Sequence, residues 1–448
     1  MVDQRGQHAA KRGAIIAFGD TRLMARSGFF PLISSVFDQR RVDRRQRDGR
    51  SIVDQARALM MARGDTAILR LAQSILATYP TLDIEERRAF FRYMAEELDV
   101  DASAVAHLAT NYADNGDWQS LRALQSAAEP KRQTLFRRLN YAEGATAELV
   151  TMRHHLLSEI DEFPDFAKID LDFVHLFHSW FNRGFLVLQR IDWSTPAEIL
   201  EKIMAYEAVH EINDWDDLRR RTLPADRLCY AYFHPRMPHD PLIFVEIALA
   251  KDIPTSIQDV LSEGREPASP ETLDTAVFYS ISNCQPGLMG ISFGEALIKG
   301  VVAALTEDHP NLSTFVTLSP IPTLRRWIEK SLSSDQVKAL AKGDDKIAEV
   351  AAHYLALEKR GDGRPKDPVA RFHLSNGAEL YNVLGGADLS PAGKRQSYGA
   401  MVNYRYEKSK LEDNSDAFAE DGKISVSRKV QGMSRQGTAQ VPKEGTTD

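Results

Sequence analysis

Between Ser51 and about Gln189 apolar residues recur every three to four positions. Ile68, Leu69, Leu71, Ala72, Ile75 and Leu76 fall at such intervals, and Ala89, Phe90, Tyr93, Met94 and Leu98 repeat the pattern. That period places each set on one helix face. Strong helix formers dominate and β-branched clusters are scarce. Breaks fall at Tyr79-Pro80, Asn115-Gly116, Glu129-Pro130 and Phe163-Pro164, as helix-to-helix connections require. An all-α domain is predicted over residues 51–190. Near Trp193-Ser194-Thr195-Pro196 the pattern changes. Short apolar runs follow, Leu228 to Phe233, Leu242 to Leu249, Ala276 to Ile281 and Thr314 to Leu318. They have strand length and alternate with helical segments from Pro196 to Tyr206, Phe293 to Glu307 and Asp335 to Glu358. Both βα and ββ connections occur, so residues 191–410 are predicted to form a mixed α/β layer domain, and the chain as a whole is of the α+β class.

The two ends differ from the middle. Residues 1–50 are arginine-rich and end in Arg40-Arg41-Val42-Asp43-Arg44-Arg45-Gln46-Arg47. Because Asp and Gln interrupt the charge, a flexible solvated arm is expected there, with an anionic partner as the other reading. Residues 411–448 are rich in Ser, Gly, Gln and Lys and are expected to be disordered.

Composition narrows the function. A chain of 448 residues exceeds what one core usually serves. Its net charge of -7 argues against a dedicated nucleic-acid binder. Two cysteines, Cys229 and Cys284, show no metal-type spacing and fit a reducing compartment. No apolar run approaches the roughly 18 residues of a membrane span. The apolar patch Ala14 to Phe18 is interrupted by Gly19-Asp20, too early for a secretory signal. A cytoplasmic location is expected.

The segment from Thr275 to Pro322 carries most of the candidate chemistry. The strand-like run Ala276 to Ile281 feeds a glycine-rich turn, Gln285-Pro286-Gly287-Leu288-Met289-Gly290. Ser292-Phe293-Gly294-Glu295 then matches a capping box, with Ser292 at the N-cap. Such a strand–turn–helix unit aims backbone N–H groups at an anion, or needs its glycines for a tight connection alone. It is neither a Walker sequence nor a dinucleotide fingerprint. Ser319 closes the next strand, and Pro320 and Pro322 stop the ladder there and let the sheet splay. Ligands favour such carboxyl ends, although a serine there also caps turns. His373, in Arg371-Phe372-His373-Leu374, is either a core residue or a proton carrier. His175 and His178 share a helix face but lack a third ligand, so no metal is expected.

Five blocks in order carry a resemblance: Tyr279-Ser280-Ile281-Ser282, Gln285-Pro286-Gly287-Leu288, Leu318-Ser319-Pro320-Ile321-Pro322, Arg371-Phe372-His373-Leu374-x-Asn376-Gly377 and Asn403-Tyr404-Arg405-Tyr406. Together they resemble the malonyl-CoA decarboxylase family, from the helical region to about Glu407. The resemblance implies an all-α domain for subunit contacts, a homo-oligomer (a tetramer), and a catalytic domain resembling the GNAT-type N-acetyltransferase fold. The CoA pyrophosphate would lie on Met289, Gly290, Ile291, Ser292, Phe293, Gly294 and Glu295. Ser319 and His373 match the family's catalytic serine and histidine, and Tyr406 its active-site tyrosine. Some relatives carry an acidic residue where Ser292 stands, so no catalytic role is carried over to it.

The implied reaction, malonyl-CoA to acetyl-CoA and CO2, needs no metal or organic cofactor, because the thioester carbonyl is the electron sink. Ser319 is expected to orient the carboxylate and His373 to stabilise and protonate the enolate; the reverse division is the alternative. Two rival functions remain: an acyl-CoA-dependent N-acyltransferase, which needs an amine acceptor, and a non-catalytic malonyl-CoA-binding regulator, which releases no CO2.

Overall fold

The structure, a computed structural model, describes residues 49–291, 294–340 and 343–441. The arm expected at residues 1–50 lies outside the described residues except for Gly49 and Arg50, as do Ser292 and Phe293.

Eight helices and two short 3-10 turns occupy Ile52 to Trp180, as the apolar period predicts. Ile68, Leu71, Ala72, Ile75 and Leu76 are buried, as are Phe90, Tyr93, Met94 and Leu98, while Leu69 and Ala89 face outward. Each such Leu or Phe contributes about 1.5–3 kcal/mol by leaving water. The predicted breaks have physical stops. Gly116 ends the Ala102–Asn115 helix at φ 65°, Pro80 is the second residue of a 3-10 turn that Tyr79 begins, and Pro164 begins another. After the Tyr79-Pro80 break, Asp83 and Glu86 cap the Ile84–Glu96 helix reciprocally.

A single nine-stranded sheet follows: β1 (Val187–Ile191), β2 (Arg227–Phe233), β3 (Ile243–Ala250), β4 (Thr275–Asn283), β5 (Thr314–Thr317), β6 (Ser319–Pro320), β7 (Glu379–Leu384), β8 (Met401–Arg405) and β9 (Ser425–Val426). The order is β1-β2-β3-β4-β5-β8-β7-β9, with β6 paired to β8. β4–β5 and β7–β9 are parallel pairs and the rest antiparallel. The four apolar runs are β2 to β5, buried on both faces, which is why they read as continuous hydrophobic stretches. One face carries the Gly294–Asp308 crossover helix through Leu297, Ile298, Val301 and Leu305, and the Asp344–Leu357 helix. The other carries the Ala197–Tyr206 and Trp215–Thr222 helices against β1 to β3. The strand–turn–helix–strand unit expected between Ala276 and Leu318 is thus present as β4, the crossover helix and β5.

Three expectations are corrected. The single helix from Asp335 to Glu358 is two, Ser334–Leu340 and Asp344–Leu357, with Gly343 as the N-cap of the second. The sheet begins at Val187, inside the stretch assigned to helix. Residues 411–441 are not disordered: Leu411–Asp421 and Arg428–Thr438 are helices, and β9 between them extends the sheet. Close approach explains this ordering. A Cβ on Gly437 would sit 2.1 Å from the Glu349 carbonyl oxygen, so the Arg428–Thr438 helix packs through Gly437, Ser434 and Val430. Small residues read as low hydrophobicity in sequence but permit tight packing. Residues 442–448 lie outside the described residues.

Candidate active site

β4 and β5 pair from Thr275 opposite Thr314 to Phe278 opposite Thr317, and Leu318 N–H donates to the Phe278 carbonyl at 3.0 Å. Beyond that point they part. β4 continues along β3 to Asn283, past a bulge that leaves Tyr279 as an extra residue. The other chain bends and pairs as β6 with β8, Ser319 opposite Val402 and Pro320 opposite Met401. The proline stop read from the sequence is thus the point where this segment leaves β4 while staying paired with β8, and the sheet opens between β4 and β6.

A cavity of about 240 Å³ occupies this opening. Phe278, Ile281 and Asn283 of β4 line one wall, Ser319 and Pro320 the opposite one, and Val369, Phe372 and His373 the third. Val209 closes the side. It is held by Glu207, whose carboxylate accepts from the Val209 and His210 N–H groups and from the Ser280 and Ser282 hydroxyls.

His373 sits in the last turn of the Pro368–Ser375 helix. Asp367 caps that helix by accepting from Val369 and Ala370 N–H, and Pro368 occupies its first position. The carboxylate also accepts from the Thr323 hydroxyl at 2.7 Å, fixing the helix to the chain after β6. The His373 ring is 2% exposed. Its Nε2 lies 3.1 Å from Ser319 Oγ and its Nδ1 2.7 Å from the Tyr406 hydroxyl. The ring stacks on Tyr404 at 4.5 Å and 24°. Burial lowers its pKa to about 3, so the imidazole is neutral at physiological pH. Burial also raises the Tyr406 phenol well above its usual range.

Ser319 and His373, 54 residues apart, therefore line one cavity, and Tyr406, 33 residues further on, backs the histidine through Nδ1. Thr317 and Tyr404 complete the cluster. Ser319 Oγ donates to Thr317 Oγ1 at 2.8 Å, and Tyr404 N–H donates to the same Thr317 oxygen at 3.1 Å. Sequence reasoning gave neither residue a role. The signal for Thr317 was present, because residues two apart on a strand share a face.

The glycine turn lies at the far end of β4. Gly290 has φ 80°, a left-handed conformation that suits glycine. Met289 is exposed and Ile291 buried. The crossover helix begins at Gly294, and Ser292 and Phe293, expected to help hold an anion, are outside the described residues. The turn rests on the helical region. A Cβ on Gly287 would lie 1.9 Å from the Val150 carbonyl oxygen. Arg153 Nη1 donates to the Gly287 and Met289 carbonyls, both at 2.8 Å, and its Nε donates to Asp170 at 2.7 Å. Nothing in the sequence pairs Arg153 with a turn more than 130 residues away.

Other candidates disperse. His175 and His178 are exposed, and no group of three metal-ligating side chains occurs among the described residues. Cys229 and Cys284 are buried free thiols whose pKa values burial raises. No helix among the described residues is long and apolar enough to cross a membrane.

Comparison with known proteins gives a consistent result. The family model for the malonyl-CoA decarboxylase N-terminal domain matches residues 98–181, and that for the C-terminal domain matches residues 184–349 and 344–444. The chain is 35% identical over 349 residues to the mitochondrial malonyl-CoA decarboxylase of Anser anser anser, covering 67% of this chain and 69% of the relative. Among solved structures, the malonyl-CoA decarboxylase of Rhodopseudomonas palustris is 45% identical with a TM-score of 0.80, covering 85% of this chain and 98% of that one. That of Agrobacterium vitis is 44% identical with a TM-score of 0.81, covering 86% and 100%.

Proposed function

The chain belongs to the malonyl-CoA decarboxylase family, and from that premise we propose how its site converts malonyl-CoA to acetyl-CoA and CO2. The observation that carries the reading is the Ser319–His373 pair, 3.1 Å apart in the cavity where β4 and β5 separate.

Ser319 donates to the malonyl carboxylate and turns it out of the thioester plane, so that the breaking C–C bond overlaps the carbonyl. The bond cleaves heterolytically. CO2 leaves, and the electron pair moves into the thioester to give the enolate of acetyl-CoA. Phe278, Ile281, Val369 and Phe372 give this volume apolar walls, which favour a neutral product over an anionic carboxylate. His373 then acts through Nε2, first as a donor to the enolate oxygen and then as the source of the proton on carbon. Tyr406, on Nδ1, fixes the ring and gives its proton to Nδ1 as Nε2–H leaves, and the one proton that the reaction consumes is restored from solvent when product departs. A preorganised donor of this kind is worth about 10²–10³ in rate. A positioned acid contributes about 10²–10⁴.

The CoA pyrophosphate is assigned to the turn from Met289 through Gly290, Ile291, Ser292, Phe293 and Gly294 to Glu295. The left-handed Gly290 and the start of the 15-residue crossover helix support this reading. No cofactor is required.

The reading extends to assembly and location. Residues 51–190 serve subunit contacts in a homo-oligomer, a tetramer, and residues from 191 onward form the catalytic domain. Two helices support self-association: Ala102–Asn115 has no buried residue, and Trp118–Ala128 has only Ser120. Buried free thiols support a cytoplasmic location. Light scattering of the purified protein and cell fractionation decide these points.

The direct test is purified protein with malonyl-CoA alone, following acetyl-CoA and CO2. Equimolar release of both is expected. Turnover that requires an added amine, or tight binding without CO2, would overturn the assignment.

A further inference from the structure

Ser319 has one hydroxyl hydrogen, and the geometry commits it to Thr317 Oγ1 at 2.8 Å. The remaining contact of Ser319 Oγ is with His373 Nε2 at 3.1 Å. An oxygen whose hydrogen is already engaged can only accept, so Nε2 must bear the proton. Nδ1 is then the acceptor, and Tyr406 donates to it at 2.7 Å. Burial keeps the imidazole neutral, so the ring holds one proton, and its position follows from this chain of bonds.

Thr317 is held through both its hydroxyl oxygen and its carbonyl. It is fully buried. Its Oγ1 also accepts from Tyr404 N–H, and its carbonyl accepts from Asn403 Nδ2 at 2.9 Å. Tyr404 in turn stacks on the His373 ring. One residue thus contacts the serine directly and the histidine through its stacking partner.

We propose that Thr317 is a positioning residue that sets the tautomer of His373: it holds the Ser319 hydrogen away from the imidazole, so that Nε2, which faces the cavity, keeps the proton the enolate needs. This rests on the assignment of Ser319 and His373 as the reacting pair. When substrate enters, its carboxylate is a stronger acceptor than a neutral hydroxyl. The Ser319 hydrogen swings from Thr317 to the carboxylate, and Nε2–H is released toward the enolate. Without the threonine hydroxyl, Ser319 donates to Nε2 instead. The ring proton then moves to Nδ1, with Tyr406 as acceptor, and the nitrogen facing the substrate has nothing to give.

The test uses the full-length chain with 15N-labelled histidine, read by solid-state NMR. The His373 signal is identified by its loss in His373→Gln. The wild type is expected to show Nε2–H, and Thr317→Val to show Nδ1–H. In the same valine variant kcat for CO2 release falls about tenfold to a hundredfold with KM little changed. Thr317→Ser, which keeps the acceptor, is expected to retain both the Nε2–H signal and the rate. An Nδ1–H signal in the wild type overturns the proposal, and that spectrum needs no variant to fold. Retention of Nε2–H or of wild-type kcat in Thr317→Val also overturns it. Should Ser319→Ala and His373→Ala keep full CO2 release, the underlying assignment fails instead, and the two failures are distinct.

Discussion

At the Ser319 end of the site, the polar contacts of Ser319 and His373, the proposed reacting residues, come from the sheet and its margin and from the helix that carries His373. Thr317 and Tyr404 belong to adjoining strands, Tyr406 directly follows β8, and the histidine is almost wholly buried. At the Gly290 end the support comes from the other half of the molecule. Arg153, on the Ala145–Glu159 helix, grips two carbonyls of the turn, and Val150 stands against Gly287. On the proposed reading, chemistry rests on a buried, self-contained cluster, where a low dielectric strengthens each hydrogen bond. Grip on the CoA moiety, on the same proposed reading, rests on packing between the helical region and the glycine turn. Substitutions at the two ends should separate kcat from KM, and that separation is what the following experiments probe.

The largest effects belong to the reacting pair. Ser319→Ala and His373→Ala are each expected to lower kcat by about 10²–10⁴, with CoA affinity retained, as measured by CO2 release and by titration with CoA. Equal losses of kcat and CoA affinity would erase the distinction between the ends. Tyr406→Phe comes next. It leaves Nδ1 without a donor, a buried vacancy worth about 1–3 kcal/mol, so kcat is expected to fall about tenfold to a hundredfold. An unchanged kcat would remove Tyr406 from the mechanism.

Legibility in the sequence followed burial. β2 to β5 stood out because both their faces are apolar. β7 and β8 did not, since Asn382 and Asn403 are buried opposite one another and break the apolar run. Of the helices after residue 410, Arg428–Thr438 was hidden because it packs through Val430, Ser434 and Gly437, and Leu411–Asp421 because it buries only Leu411 and Phe418. In the site, Ser319 was marked by the prolines that follow it, whereas His373 and Tyr406 needed the family resemblance to be joined to it. Thr317 was recoverable from strand alternation. Arg153 was not, because its partners in the turn are carbonyl oxygens that any sequence supplies.

The CoA end gives a smaller, differently signed test. Holding the Met289 carbonyl turns the Gly290 N–H to the opposite side, since the two groups of a trans peptide are antiparallel. Arg153 thus aims the turn as well as anchoring it. Arg153→Lys keeps the charge but cannot reach two carbonyls and Asp170 with one ammonium. KM for malonyl-CoA is expected to rise about tenfold, equivalent to about 1.4 kcal/mol of binding, while kcat stays within about twofold. A fall in kcat with constant KM would show that the helical region serves the chemistry rather than the grip.

The smallest effect expected is on the pH dependence of turnover. An exposed histidine would bring a limb near its ordinary pKa of about 6.5. His373 is held neutral by burial, with its pKa lowered to about 3, so kcat/KM should show no His373 limb between about pH 5 and 8. Stability responds where turnover does not. The unfolded chain binds a proton at this histidine below about pH 6.5 and the folded chain does not until about pH 3. The contribution is therefore complete above pH 6.5 and is lost as pH falls through that window, at up to about 1.4 kcal/mol per unit. His210, lowered to about 4 by burial, adds the same sign. Denaturant unfolding at pH 7.5 and 5.5 should show this loss, and His373→Gln should reduce it. A kcat/KM limb at pH 6.5 that vanishes in the residual turnover of His373→Gln would mean that water reaches the imidazole and that the acyl end is not the buried cluster described.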